Sequence, residues 1–226
     1  QKIIDSELLE KKEYRYSDLP YYIVKELIET HYDLPLDSLI QQRFYKPIGA
    51  NFSTYNPLDQ FDKSQIIPTE EDDYFRFETV HGYVHDMGAA MQNGVGGHAG
   101  LFSNANDVAK LMQMFLQNGA YGGERFLKPQ TFDAFNRCYY CDEDNRRGVG
   151  FDKPQLEEGG PTCSCVSMES FGHSGFTGTL AWADPEEEII YVFLSNRTYP
   201  DSKNNRLLDA NIRTEIQNLI YQAITD

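Results

Sequence analysis

A glycine-bounded strand edge that runs directly into an apolar strand constrains this chain more than any other feature. The segment 171–179 reads Phe-Gly-His-Ser-Gly-Phe-Thr-Gly-Thr and is followed at once by the apolar, β-rich residues 180–183. Glycine at such an edge leaves room for a substrate backbone or ester to lie against the strand and share its hydrogen bonds. The segment therefore predicts a sheet whose edge can face a ligand.

Further strands and a packing helix are predicted around this edge. Strands are predicted over 148–153, 178–184 and 189–195, and the Asp-Pro-Glu-Glu sequence at 184–187 is typical of a hairpin turn between the last two. The stretch 206–224 places its apolar residues on one helical face, which predicts a helix packed against the sheet. These residues are Leu208, Ile212, Ile216, Leu219, Ile220 and Ala223.

The N-terminal half has the spacing of helices joined by long loops. Helices are predicted over 19–30, 36–44 and 108–116, the last with Ser103 as its N-cap. Residues 50–79 are rich in turn formers and acidic side chains and lack strong periodicity. We therefore expect them to form an extended surface loop.

Two tripeptides carry a resemblance to a known family. Tyr-Ser-Asp at 16–18 lies directly before the first predicted helix, and His-Ser-Gly at 173–175 lies at the predicted sheet edge. Serine β-lactamases and penicillin-binding proteins are marked by S-x-x-K, a Tyr/Ser-x-Asn element and K-T-G. The chain resembles this superfamily, on its class C and esterase-like branch, from about residue 14 to its end.

The resemblance implies an α/β (α+β) fold of the β-lactamase/transpeptidase type. In this fold an antiparallel sheet is flanked by helices and accompanied by a mainly helical subdomain. Residues 1–226 would then be the C-terminal portion of one such domain, incomplete at the N-terminus. Within it, residues 1–145 would be the mainly helical and loop part that holds the tyrosine element, and residues 146–226 would supply the C-terminal strands and packing helix.

The nucleophile motif of that superfamily is absent from this sequence. No serine in the chain is followed by a lysine three residues later, and little sequence precedes Tyr16, whereas the family's nucleophile lies well upstream of the tyrosine element. We therefore expect the serine to lie outside this chain and the chain by itself to be inactive. The alternative is a protein that has lost catalysis and only binds ligands.

The resemblance assigns catalytic roles to Tyr16, Asp18 and His173. A phenol with an ordinary pKa near 10 needs a cationic neighbour to act as a base, as the S-x-x-K lysine provides in the family. The alternative role of Tyr16 is that of a packing aromatic. Asp18 stands where asparagine is usual and can only accept hydrogen bonds when ionised, and His173 replaces a fixed lysine cation with a group that can be neutral. These departures predict weaker and more pH-dependent recognition of a substrate carboxylate.

The next three residues are predicted to bind substrate. Ser174 and Gly175 complete the strand-edge motif, and the backbone N–H of Phe176 would be one donor to the oxyanion. The second donor would come from the missing serine.

Several histidines and an aspartate lie in and before a glycine-rich stretch. His81, His85, Asp86 and His98 could form a metal site or a Ser/His/Asp relay, but a relay would make the tyrosine redundant. We favour structural roles for them and predict neither a metal ion nor a cofactor.

Composition excludes several function classes. The formal net charge of −15 would repel a phosphate backbone, and no apolar run approaches the roughly 18 residues of a membrane span. Nucleic acid is therefore not expected as a partner, and no membrane span is expected in this chain. The cysteines at 138, 141, 163 and 165 are expected to be disulfides or free thiols, with a zinc site as the alternative. An extracytoplasmic location, periplasmic or secreted, would favour the disulfides.

The resemblance therefore implies a bacterial serine hydrolase that forms an acyl-enzyme. Its substrate would be a small molecule or a peptidoglycan-derived compound, and the reaction would be that of an esterase, a D-amino-acid peptidase or a β-lactamase. The second expected partner is the missing N-terminal portion of the same domain. The alternative is a non-catalytic peptidoglycan-binding or interaction module that keeps the cleft.

Overall fold

The computed structural model describes residues 2–7, 9–11, 13–143, 145–155 and 160–225. Its helices are α1 (Leu19–Tyr32), α2 (Leu36–Ile40), α3 (Met87–Ala90), α4 (Ala105–Leu116), α5 (Pro129–Asn136), α6 (Arg206–Asp209) and α7 (Ile212–Thr225). Its strands are β1 (Pro68–Asp72), β2 (Glu78–His81), β3 (Ala120–Tyr121), β4 (Glu124–Arg125), β5 (Phe171–Ser174), β6 (Leu180–Asp184) and β7 (Ile189–Phe193). None of the described helices has the length and apolar character that crossing a membrane requires.

Strands β5, β6 and β7 form an antiparallel sheet in that order. Gly172 of β5 lies opposite Trp182 of β6, and a Cβ atom at Gly172 would come within 2.2 Å of the Ala181 carbonyl oxygen. A side chain at this position would therefore push the strands apart. The glycine lets β5 pair closely with β6 and so fixes where His173 leaves the sheet.

Alternate residues of β6 point to opposite faces of the sheet, as the two-residue period of a strand requires. On one face Leu180 and Trp182 pack with α7 and the preceding loop, in a cluster that also contains Cys163, Val166, Tyr191 and Tyr221. On the other face Ala183 packs with α4 and α5, in a cluster that also contains Met112, Phe132 and Phe171. The sheet is thus covered by helices on both faces.

A buried carboxylate ties the end of β6 to α7. Asp184 is fully buried and accepts hydrogen bonds from the Ser167 N–H at 2.8 Å, the Ser167 hydroxyl at 2.5 Å and the Tyr221 hydroxyl at 2.8 Å. Burial alone would raise the pKa of Asp184, but these hydrogen bonds hold that pKa below its usual value. Asp184 is therefore ionised at neutral pH and serves as an anchor for the C-terminal helix.

Two helices keep much of their apolar surface exposed. Helix α1 has no buried residue, and Leu27 on it is 62% exposed. On α7, Leu219 is also 62% exposed and Ile224 is 56% exposed. In both helices the apolar stripe is only partly covered by the described residues.

Most predicted elements form, with changes at their ends. Helices α1 and α4 extend the predicted segments 19–30 and 108–116, and the hairpin β6–β7 lies where it was predicted. The N-cap of α4 is Asn104, whose Oδ1 accepts from the Asp107 N–H at 2.9 Å, so the prediction of Ser103 was wrong. The Ser103 hydroxyl instead lies 2.7 Å from that of Ser53.

Four segments differ from the predictions for identifiable local reasons. Residues 148–153 form no strand but only an isolated antiparallel bridge, between Asp152 and Gly172 of β5, because the Gly148 N–H bonds to the Phe151 carbonyl and the chain turns there. The segment 36–44 is α-helical only as far as Ile40 and continues as a π-helical turn. The predicted helix 206–224 is divided at Asn211, which has a φ of 51°. The predicted loop 50–79 contains β1 and most of the antiparallel hairpin β1–β2.

All four cysteines form disulfides between near neighbours. Cys138 pairs with Cys141, and Cys163 pairs with Cys165. The prediction of disulfides is confirmed, and these four cysteines are not available as zinc ligands.

Candidate active site

Tyr16 lies on the surface just before α1. Tyr16 belongs to an irregular stretch that ends where α1 begins, and its side chain is 58% exposed. Pro20 in the first turn of α1 suits the helix start, because proline has no N–H to leave unpaired there. The Tyr16 side chain therefore lies mostly at the surface rather than packed into the core.

Arg147 connects Tyr16 with His173. Its guanidinium carbon lies 5.0 Å from the centroid of the Tyr16 ring, and its Nη1 lies 3.0 Å from His173 Nε2. Two of the residues predicted from distant parts of the sequence are thus brought to one place by a third residue. Arg147 is also ion-paired with the buried Asp152, which fixes its position.

The partners of His173 determine its tautomer. Arginine can only donate, so His173 Nε2 accepts from Arg147. The other ring nitrogen, Nδ1, lies 2.7 Å from the Ser174 carbonyl oxygen, which can only accept. The imidazole is therefore neutral in this arrangement, with its hydrogen on Nδ1. The positive charge at this edge of the sheet belongs to Arg147.

Asp18 is the last residue of the tyrosine element, and its carboxylate lies close to the Tyr16 phenol. Its carboxylate makes no capping hydrogen bond to α1 and lies within 4.8 Å of ligand atoms of Asp86 and His98. Burial raises the pKa of the Tyr16 phenol, the nearby Asp18 raises it further, and Arg147 acts in the opposite direction. The Tyr16 phenol is therefore protonated at neutral pH.

The predicted substrate-binding residues form a tight hairpin tip between β5 and β6. The Gly175 N–H donates to the Thr179 carbonyl at 2.9 Å, and the Gly178 N–H donates to the Gly175 carbonyl at 3.0 Å. Gly178 has a φ of 97°, in a region that L-residues rarely adopt. These bonds place Ser174 at the last paired position of β5 and expose Phe176 at the tip.

Phe176 is held at the tip from two sides. The Arg197 guanidinium lies 4.5 Å from its ring centroid, and Arg197 Nε donates to the Phe176 carbonyl at 2.8 Å. On another side the ring centroid of His85 lies 5.0 Å away. His85 is in turn 3.2 Å from the buried carboxylate of Glu70. The backbone at Phe176 is therefore fixed by a side-chain contact and a carbonyl contact from the same arginine.

Sequence reasoning missed Arg147 and Arg197. Arg147 follows Arg146 directly in a chain with 35 acidic residues, so this pair of cations was a usable signal. Arg146 and Arg147 both pair with the Asp152 carboxylate, and Arg146 Nη1 lies 2.9 Å from it. Arg197 has no comparable signal, because its importance comes from its contact with Phe176.

Comparisons with known proteins agree on one family. The family model described as Beta-lactamase matches residues 8–214. A protein of Salmonella enteritidis PT4 named "Putative D-alanyl-D-alanine carboxypeptidase" is 35% identical over 205 residues, which cover 85% of this chain and 47% of that protein. The chain thus spans about half the length of the curated relatives it matches.

Two solved structures share the fold at low sequence identity. A β-lactamase from Mycobacterium bovis superposes with a TM-score of 0.65 at 15% identity, covering 95% of this chain and 65% of that one. Simvastatin synthase from Aspergillus terreus superposes with a TM-score of 0.63 at 16% identity, covering 95% of this chain and 56% of that one. At these identities the likeness is one of fold alone.

Proposed function

Because the chain belongs to the β-lactamase family of hydrolases, we propose that it is the C-terminal portion of a serine hydrolase domain that cleaves peptides or esters ending in a carboxylate. The acyl-enzyme forms on a serine outside this chain. The observation that carries the proposal is the position of Arg147, a permanent cation between the Tyr16 ring and His173 at a glycine-bounded sheet edge. Such a cation attracts a carboxylate and can hold it with two parallel hydrogen bonds.

The remaining groups have complementary roles in this proposal. Tyr16 exchanges a proton with the nucleophilic serine and needs a further cation to do so, because its pKa is raised by burial and by Asp18. The Phe176 N–H, which bonds to no other described residue, stabilises the oxyanion. His173 keeps Arg147 oriented, and Ser174 and Gly175 line the edge on which the substrate backbone lies.

The exposed apolar faces support a partner portion of the same domain. Apolar side chains such as Leu27 on α1 and Leu219 on α7 are each 62% exposed. On α1 the exposed side chains of Leu19, Ile23 and Leu27 follow at four-residue spacing and so form one apolar stripe. Contiguous apolar surface of this kind is normally covered by protein. A remaining half-domain that packs on these helices would also supply the S-x-x-K motif, which this sequence lacks.

Among the substrate types that the sequence allows, we propose a D-amino-acid peptide derived from peptidoglycan. The name of the Salmonella relative supports this choice, and so does the fixed cation at Arg147. An extracytoplasmic location, periplasmic or secreted, fits the two disulfides, because disulfides persist in oxidising compartments.

The test compares two arginine variants in the protein that contains the whole domain. We expect Arg147→Gln to raise KM for a peptide ending in D-Ala-D-Ala by about 10- to 100-fold, the scale of a lost hydrogen bond to a charged group. It should leave KM for the corresponding peptide amide almost unchanged. Arg146→Gln is the matched control, because Arg146 also pairs with Asp152 but does not contact Tyr16 or His173.

Two outcomes would count against the proposal. If Arg147→Gln affects the acid and the amide equally, Arg147 does not read the carboxylate. If the whole-domain protein cleaves neither substrate but binds peptidoglycan fragments, the non-catalytic module is the better description.

The pH dependence of KM is a second test of the role of Arg147. KM for the peptide acid should not rise between about pH 6 and pH 8, because arginine stays charged while a histidine cation would lose its proton.

A further inference from the structure

Three metal-ligating side chains meet beside the tyrosine element. Asp18 precedes α1, Asp86 precedes α3, and His98 lies in the glycine-rich loop that follows α3. Ligand atoms of the three all lie within 4.8 Å of one another, and His98 Nε2 is 2.7 Å from Asp86 Oδ1. The site is a different one from that of Arg147 and His173, and it uses segments up to 80 residues apart in the sequence.

Two glycines allow these segments to approach. A Cβ atom at Gly88 would lie 1.7 Å from the Tyr22 hydroxyl oxygen, and one at Gly97 would lie 2.5 Å from the Tyr21 carbonyl oxygen. Any side chain at Gly97 would therefore push α1 away from the loop. With glycine present, the Tyr22 ring stacks on the His98 ring at a centroid distance of 4.8 Å and an interplanar angle of 15°.

The donor groups are fixed and suitable for a metal ion. The Asp86 carboxylate is held in place because its Oδ1 accepts hydrogen bonds from the Ala89 N–H at 2.7 Å and from His98 Nε2 at 2.7 Å. The His98 side chain is only 3% exposed, and its Nδ1 is buried without a hydrogen-bond partner among the described residues. The ring nitrogen that lies against Asp86 is Nε2, so Nε2 and not Nδ1 is the candidate ligand atom. The Asp86 side chain is 37% exposed, so an ion has a path to the site from solvent.

We propose that Asp18, Asp86 and His98 form a binding site for a divalent cation of the zinc type. One imidazole and two carboxylates are a ligand set that suits Zn²⁺ and related first-row cations, whereas Mg²⁺ and Ca²⁺ prefer oxygen ligands alone. Zinc bonds of about 2.0–2.2 Å in a tetrahedron place ligand atoms roughly 3.5 Å apart. A cation here replaces the hydrogen that His98 Nε2 donates to Asp86 Oδ1, so that this pair opens from 2.7 Å to roughly 3.5 Å. The Asp18 carboxylate, which lies within 4.8 Å of the other two ligands, closes on the ion by side-chain rotation.

This proposal goes beyond the hydrolase function and can be tested without any activity. The chelator-treated chain, with its disulfides intact, is titrated with ZnCl2 in a large excess of Mg²⁺, and heat is measured by isothermal titration calorimetry. A thiol assay before titration excludes zinc held by reduced cysteines. We expect one zinc ion per chain and an increase in the melting temperature, because a ligand that binds only the folded state stabilises it.

Variants of each ligand separate this site from binding to other carboxylates. Asp18→Asn and Asp86→Asn keep the side-chain shape, and asparagine can still cap α3, so both variants should fold. Each should weaken zinc binding about tenfold or more, as should His98→Gln. Asp33→Asn removes an exposed carboxylate at the other end of α1 and is the matched control, with no expected change.

Each result either supports or overturns the assignment of a zinc site to Asp18, Asp86 and His98. Loss of the single site in Asp18→Asn, with unchanged binding in Asp33→Asn, supports the assignment. No zinc binding by the wild-type chain would overturn it. Binding that is equal in wild type, Asp18→Asn and Asp86→Asn would also overturn it, since the ion would then lie on other carboxylates of this acidic chain. Replacement by Co²⁺ gives an independent readout, because ligation by His98 produces a visible spectrum that His98→Gln should lose.

Discussion

Replacing Asp184 with asparagine should destabilise the sheet that carries the candidate active site. The carboxylate is fully buried and accepts four hydrogen bonds, two from Ser167, one from Tyr221 and one from the Glu186 N–H at 3.1 Å. In the best orientation of the substituted side chain, its amide group faces the Ser167 hydroxyl, which can rotate to accept. The Glu186 N–H then loses its acceptor.

The expected loss follows from these four bonds. A hydrogen bond to a charged group contributes about 1.5–3 kcal/mol and a neutral one about 0.5–1.5 kcal/mol, so three bonds that become neutral lose roughly 1 kcal/mol each. The bond lost at Glu186 adds about 1 kcal/mol, and the smaller desolvation cost of the neutral side chain offsets part of the sum. We expect Asp184→Asn to lower the free energy of unfolding by about 2–4 kcal/mol, a large part of the roughly 5–15 kcal/mol typical of a domain.

The effect should depend on pH with a definite sign. The pKa of Asp184 is lower in the folded chain than its ordinary value, so its contribution is present above the unfolded pKa of about 3.9. That contribution is lost as the pH falls through the lower, folded pKa. The difference in unfolding free energy between wild type and Asp184→Asn should therefore be constant near neutrality and narrow below about pH 4.

Urea denaturation followed by circular dichroism measures both quantities. Asp209→Asn changes an exposed carboxylate on α6 and should alter stability by no more than about 0.5 kcal/mol. Tyr221→Phe removes one of the four donors and should have a smaller effect than Asp184→Asn. A difference that stays constant down to about pH 3 would refute the assignment of the effect to the ionised carboxylate.

Three other changes test the fold and the proposed function. Gly172→Ala should destabilise the chain by about 1–3 kcal/mol or prevent folding, because the new methyl group would overlap the Ala181 carbonyl oxygen; an unchanged urea midpoint would contradict this packing. The isolated chain should form no covalent adduct with a β-lactam or a fluorophosphonate in intact-mass spectra, and a stoichiometric adduct would show that the nucleophile lies within it. In the whole-domain protein, Tyr16→Phe should lower kcat by roughly 10²-fold with folding intact, whereas acylation at the wild-type rate would leave Tyr16 only a surface aromatic.

The sequence by itself determined the family, the fold and most local elements. Helices α1 and α4 and the hairpin β6–β7 could be predicted because apolar spacing and turn residues report the local backbone directly. The two tripeptides at 16–18 and 173–175 indicated the family because each combines a functional group with a required backbone geometry. The predictions failed where the backbone changes within a periodic segment, as at Asn211, whose positive φ divides the C-terminal helix.

Only the tertiary structure decided which side chains share a site. Arg147 reaches Tyr16 and His173 from a turn 26 residues before the histidine, and no periodicity predicts that meeting. Asp18 follows Tyr16 by two residues, yet its carboxylate lies beside Asp86 and not with the histidine of the sheet edge. Residue types and spacing specify local conformation and chemical capacity. The approach of distant segments depends on packing across the whole chain, including the close contacts that glycines permit between α1 and the loop after α3.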